Sequence, residues 1–238
     1  MNRIIFRVLY LPIARAMFRK RFGQVSEAAY DIVAAESGID ESRANFVGAV
    51  MKQSSEIVLL NRDLVTDKVN LRNVMLTSGI LALYRLTKLV LGDKDKAVYV
   101  VRQVLEKEFV KTIDEYMIRR FDIHQDKPQE SFDKVARNFI GLGKRGFGAG
   151  FTYEPDVKTA DRTWVNISRC FFHDFFRRND APEITQVMCA LDIVWAKKLK
   201  ADGHNVRFER PVTMADGGEA CQFHFYKTTT DHTSQIAR

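Results

Sequence analysis

Cysteine is scarce in this chain: 238 residues contain three, and no two form a CxxC pair. So sparse and odd a count excludes a disulfide-stapled secreted scaffold and suits a reducing, cytoplasmic setting. The paired ligand spacings of a structural zinc site are missing, as are an RNP-like strand and a GxxxxGK[ST] loop. Zinc modules, nucleic-acid readers and nucleotide enzymes are therefore set aside. Acidic residues are absent before residue 23, where Arg3, Arg7, Arg15, Arg19, Lys20 and Arg21 supply most of the net charge of +7. The rest of the chain is nearly neutral, so no basic face for nucleic acid is spread over the fold. Arg7, Pro12 and Arg15 break the N-terminal apolar stretch and no small-residue cleavage site follows, so it does not read as a signal peptide. Long clean apolar runs are also lacking. The most apolar window, Val74–Leu91, contains Arg85 and Lys88, which argues against a lipid-facing helix.

What is present is a hydrophobic content of 46%, enough for a sizeable core. Three regions follow from the patterning: a basic amphipathic helix over 1–24, a helical region over 25–142, and a smaller α+β domain over 143–238. In residues 2–22, Ile4, Ile5, Val8, Leu9, Leu11 and Ile13 alternate with arginines, and Pro12 is placed to kink the segment. Such a helix can dock on a membrane surface or a second subunit, or pack on its own bundle.

In the helical region Ser26 and Asp40 are placed as N-caps and Gly38 and Gly92 as stops. Asp93 opens a long pattern through Arg120 with apolar residues at three- and four-residue spacing. A last helix, Ser131–Leu142, runs into glycines at 141, 143, 146, 148 and 150, which read as a hinge or bulge. Strands are expected over Gly150–Glu154, Thr163–Ser168, Val206–Thr213 and Ala220–Lys227, and helices around Phe171–Arg178 and Pro182–Lys200. The order strand, strand, helix, helix, strand, strand makes the fold class α+β: a helical bundle packed with a smaller mixed domain.

The chemistry-bearing residues gather after Trp164. Helical spacing from Cys170 sets His173 and Asp174 on its face, and a thiol beside an imidazole and a carboxylate can be held as a thiolate, as nucleophile or metal ligand. Cys189 and Asp192 stand three apart in Val187–Trp195. A carboxylate among Leu, Ile, Val and Trp is costly unless something specific pairs with it, which makes Asp192 the strongest single clue. Strand alternation aligns Cys221 with Phe223 and Phe225, and Gln222 and His224 opposite. The bland alternative is that the three cysteines are small core hydrophobes.

The runs Leu76–Leu86, Cys170 before an aromatic-rich helix, Met188–Trp195, Phe208–Arg210 and Asp216–Phe225 resemble the L-2-amino-thiazoline-4-carboxylic acid hydrolase family over roughly residues 70 to 227. The resemblance implies hydrolytic opening of a cyclic amidine, the 2-aminothiazoline ring, toward an N-carbamoyl-cysteine product. The family's recurrent cysteines match Cys170, Cys189 and Cys221, and its helix carboxylate matches Asp192. Relatives often carry a basic residue where this chain has His224. On this reading Cys170 or Cys189, or a divalent metal held by Cys170, Cys189 and Cys221, delivers the attack on C2. Asp192 or Asp174 holds the amidinium, and His173 moves a proton to the leaving nitrogen. Arg210 or Arg169 holds the substrate carboxylate, with Cys221, His224 and Trp195 around the substrate. The competing reading is a module resembling the 4-vinyl reductase type, which binds a small molecule or metal without chemistry, its pocket lined by Phe171, Phe172, Phe175 and Phe176.

Overall fold

The computed structural model describes residues 11–228, and the first of them already form a long helix, α1 (Leu11–Ser37). Of the basic segment expected over 2–22, residues 2–10 lie outside the described residues and 11–22 form the first part of α1. Ser26 is not a cap. It sits inside α1, and its hydroxyl donates to the Phe22 carbonyl at 2.8 Å, a bond that lets the helix continue. Helix α2 (Arg43–Leu60) is capped by Ser42, not Asp40: the Ser42 hydroxyl accepts the Asn45 N–H. Helix α3 (Lys68–Leu91) starts at Lys68 because the Asp67 carboxylate accepts the N–H groups of Val69 and Asn70, at 2.7 and 2.9 Å. Gly92 ends it in the left-handed region at φ 64°. Asp93 then accepts from Asp95 and Lys96 and opens α4 (Lys94–Arg120).

Helix α5 runs Ser131–Phe147, so the glycines at 141, 143 and 146 lie within a helix and not in a hinge. After a single turn come strands β1 (Thr152–Lys158) and β2 (Arg162–Arg169). β1 runs beyond the expected end at Glu154 and through Pro155, with a register shift between Pro155 and Val157. Proline is tolerated there because β1 is an edge strand. Helix α6 (Phe171–Arg178) follows, and the helix expected over 182–200 is resolved into a short turn, α7 (Thr185–Asp192) and α8 (Val194–Ala201), broken at Ile193. β3 (Val206–Glu209) is shorter than expected, with Pro211 two residues beyond its end, and β4 (Cys221–Lys227) completes an antiparallel sheet in the order β1-β2-β4-β3. The fold class is α+β.

Contacts divide the chain into two compact units. One runs to Glu108 and includes Phe171–Met188; the other comprises Phe109–Cys170 and the chain from Cys189 on. Part of the region expected as one C-terminal domain, Phe171–Met188, thus belongs with the helices.

In the helical unit α3 packs against α1, α2 and α6. It is long and apolar enough to cross a membrane by length and composition, contrary to the reading of Val74–Leu91, yet Ile80, Leu81, Ala82 and Leu83 are fully buried in the protein, as in a core helix. Arg85 is accommodated by donating to the Asn179 carbonyl at 2.7 Å. A Cβ at Gly79 would come within 2.7 Å of the Phe18 and Phe22 rings, so the glycine admits that stacked pair against α3. Phe171, Phe172, Phe175 and Phe176 are all buried in this unit, each contributing about 1.5–3 kcal/mol by leaving water.

In the sheet unit one face of the sheet carries Tyr153, Val165, Ile167, Cys221, Phe223 and Phe225 into a core completed by Phe121, Phe139 and Trp195. Trp195 stacks on Phe121 with centroids 4.7 Å apart, and Phe139 meets the rings of Tyr153, Phe223 and Phe225. The other face carries His224, stacked on Trp164 at 4.3 Å, and Tyr226, with Arg207 over its ring.

Candidate active site

Arg210 stands just past β3, where Pro211 ends strand pairing and turns the chain. Its side chain is 11% exposed. One guanidinium nitrogen donates to the Cys189 carbonyl at 2.9 Å, another lies 3.9 Å from the Asp192 carboxylate, and the cation sits 5.6 Å from the Phe223 ring centre. A planar fork with five donors can serve these neighbours together, which a lysine ammonium cannot.

Asp192 ends α7. Its carbonyl accepts the Trp195 indole N–H at 2.9 Å across the break at Ile193, and this fixes the helix end that carries the carboxylate. Trp195, expected beside the substrate, is 2% exposed and serves as this brace within the core. Among the described residues no hydrogen bond reaches the Asp192 carboxylate, and its side chain keeps 36% of its surface. The surrounding protein pushes its pKa up to about 6, with partial relief from Arg210. The C-terminal end of a helix, negative by its dipole, acts in the same direction. At neutral pH Asp192 is mostly ionised yet poised to take a proton.

The cysteines behave differently from the expectation of a thiolate. Burial pushes the Cys189 thiol up to about 12, against the pull of Arg210, and raises Cys221 as well. Both are thiols at neutral pH. Cys221 faces the core, and its sulfur accepts the Met214 N–H at 3.3 Å, which makes it a fastener for the loop before β4. That loop is held by Thr213, whose hydroxyl donates to the Asp216 carboxylate at 2.6 Å and accepts the Asp216 N–H, and by Gly217 at φ 90°. Cys170 is half-buried in the segment between β2 and α6 and packs on the core of the sheet unit. Among the described residues no group of three or more His, Cys, Asp and Glu side chains is placed to hold a metal ion, so Cys170, Cys189 and Cys221 do not form the expected ligand set.

His173 and Asp174 fall in the helical unit and Cys170 in the sheet unit, ahead of α6 and not on it, so the three do not share a helix face. His173 is held below its ordinary pKa by burial and then by Arg177. Asp174 and Arg169 are exposed. His224 lies on the sheet face opposite Cys221, against Trp164, with its pKa lowered by burial.

The structure thus brings Asp192, Arg210, Cys189 and Cys221 together, and adds Tyr153, on which the Asp192 charge acts, and Asp216, whose charge acts on Cys189. Tyr153 escaped the sequence reading. Its one signal was Gly143, ten residues earlier, which lies inside a helix and has no conformational reason to be glycine.

Every one of these residues lies within a match to a family model. A search of curated proteins returns no match. The model that does match, over residues 75–225 and so more than half of the sequence, is described as L-2-amino-thiazoline-4-carboxylic acid hydrolase, and the chain belongs to that hydrolase family.

Proposed function

We propose that the protein opens a 2-amino-thiazoline-4-carboxylate ring by adding water at C2, with Asp192 and Arg210 as its working pair. The observation that carries this reading is the loose ion pair itself: a mostly buried guanidinium 3.9 Å from a carboxylate that accepts no hydrogen bond among the described residues. A substrate bearing one carboxylate and one basic amidine carries the same two charges. The amidinium can turn to Asp192 and the carboxylate to Arg210, and each buried charge then gains a charge-assisted hydrogen bond.

Water then bonds to C2, and Asp192 takes its proton, a role suited to a base with a pKa near 6. An N-carbamoyl product keeps both C–N bonds. The bond that breaks is therefore C2–S and not a C–N bond; its electron pair goes to sulfur, which takes up the proton from Asp192, and the proton left on the added oxygen passes to solvent as the amidinium becomes the neutral carbamoyl group. No proton need reach a leaving nitrogen, so the reaction has no use for His173 as a shuttle. Cys189 and Cys221, held as thiols, support the loop and the helix end and do not attack.

The test is incubation of the purified protein with L-2-amino-thiazoline-4-carboxylate, with and without a chelator, followed by mass spectrometry. The expected result is a product heavier by one water, bearing a free thiol, formed at the same rate in both samples. Tight binding of the ring without turnover would leave a non-catalytic binding module in its place. Turnover lost on chelation would replace the Asp192 route with a metal-bound hydroxide.

A further inference from the structure

Gly143 and Tyr153 meet beside the site, and neither has been given a part in the reaction. Gly143 lies inside α5, where glycine costs roughly 0.5–1 kcal/mol against alanine, and it does not use the left-handed backbone that glycine alone adopts freely. What it supplies is space. A Cβ at 143 would stand 2.5 Å from the Tyr153 Cζ and 2.6 Å from its hydroxyl oxygen, so the methyl that is missing is the seat of the phenol end.

Tyr153 is 7% exposed and its ring is braced by Phe139 and Phe151. The ring is buried, but the hydroxyl oxygen is not sealed in: no side chain among the described residues bonds it, and it is not one of the buried polar atoms that lack a partner, so it stays open to a ligand. The Asp192 carboxylate and the Cys170 thiol are near enough for their charges to act on it. A ring wanted only for packing would be served by phenylalanine, as it is at Phe139, Phe223 and Phe225 in the same core.

We propose that Tyr153 is a catalytic residue whose hydroxyl donates a hydrogen bond to the ring sulfur as the C2–S bond breaks, with Gly143 as the residue that positions it. The inference rests on the ring-opening reading and adds to it the group that receives the leaving atom. Water bonds to C2, Asp192 holds the water's proton, and the C2–S electron pair moves onto sulfur. Tyr153 keeps its own proton while its O–H points at the growing charge, the sulfur is then protonated by Asp192, and the proton remaining on the added oxygen leaves to solvent as the carbonyl forms. Burial and the Asp192 charge raise the phenol above its ordinary pKa, so it stays a neutral donor through the working range.

The test compares wild type with Tyr153→Phe on two rings, the thiazoline and its oxygen analogue 2-amino-oxazoline-4-carboxylate, whose leaving alkoxide is more basic and depends more on a donor. Wild type should open both. Tyr153→Phe should lose about 10²-fold in kcat on the thiazoline with KM moved less than about threefold, and lose roughly tenfold more on the oxazoline. Gly143→Ala should also lower kcat, and the double variant should fall no further than the worse single one, because both changes remove one interaction. Wild-type kcat retained by Tyr153→Phe, or an equal loss on both rings, overturns the role of Tyr153 while ring opening stands. A wild type inert on both rings removes the ring-opening reading and this inference with it.

Discussion

The two units hold their charged groups in different ways. In the helical unit the Tyr84 hydroxyl donates to the Glu183 carboxylate, the Asn61 and Asn179 side chains bond each other in both directions at 3.2 Å, and Arg85 ends on the Asn179 carbonyl. The buried side-chain atoms of this unit that lack a partner among the described residues, on Gln53, Asn70, Ser78, Thr87, His173 and Thr185, include no carboxylate, ammonium or guanidinium. In the sheet unit Asp192 and Arg210 face each other too far apart for a hydrogen bond, and Tyr153 has a donor to spare. Satisfied polar groups fix the position of helices. Under-satisfied charges that keep a path to solvent are available to a ligand, and they cost stability that a purely structural network would not spend.

Asp192→Asn is the sharpest way to separate the two units. It should lower kcat by about 10³-fold or more, the scale of a lost general base. It should also stabilise the protein at neutral pH. The folded pKa of Asp192, about 6, lies above the ordinary 3.8, so folding favours the protonated carboxyl. That contribution is fully present below about pH 3.8 and is lost as pH rises to 6, beyond which it is constant. Wild type should therefore lose stability relative to the asparagine variant between those limits, by less than the full shift implies because solvent still reaches the side chain. Thermal melts of both proteins from pH 4 to 8 measure this, and kcat/KM should rise through an acid limb near pH 6. A variant that is less stable at pH 7 would mean that Asp192 is a structural partner of Arg210 and not a base held ready for a ligand.

Arg210→Met comes next. It keeps the length of the side chain and removes the charge, so it should cost about 10²-fold in kcat/KM through the substrate carboxylate. The acid limb should move to higher pH, because Arg210 is what draws the Asp192 pKa down. An unmoved limb would show that the pair does not interact in solution.

The mirror experiment lies in the helical unit. Tyr84→Phe should leave kcat unchanged and cost about 1–3 kcal/mol of stability, since it strands the Glu183 carboxylate against buried protein. Chemical denaturation read by fluorescence measures it, and any loss of turnover beyond that of stability would blur the division between the units.

What the sequence shows and hides follows the same division. Asp192 was legible because a carboxylate in an apolar helical run demands an explanation, and the fold class was legible because periodicities of 3.6 and 2 succeed one another. The break at Ile193 was not: the local bond from the Trp195 indole to the Asp192 carbonyl three residues earlier forms where the ring is seated in the core of the sheet unit, and residue spacing does not show that seat. Nor was the transfer of Phe171–Met188 to the helical unit, because the burial of four phenylalanines on α6 does not say against what. The thiols misled most. Spacing from Cys170 to His173 and Asp174 suggests an activated nucleophile, but a thiol's pKa is set by its depth and charges in three dimensions, and at Cys189 burial outweighs the nearby arginine.

Cys189 therefore gives the smallest effect. Its backbone carbonyl, not its sulfur, holds Arg210, so Cys189→Ala leaves that bond in place and removes only a partly buried sulfur. Turnover should fall by less than about tenfold, and stability by about 1 kcal/mol from the lost packing. A thiol pushed up to about 12 is almost wholly protonated at pH 8, so Cys189 in the wild type should also resist alkylation there far longer than a free cysteine. The two readouts bear on different states. Slow alkylation reports the resting thiol, whereas turnover by the alanine variant reports whether a substrate ever converts it to a nucleophile. Activity abolished in Cys189→Ala with slow alkylation in the wild type would mean that the bound amidinium itself activates the sulfur, and the attack would then pass from water to Cys189.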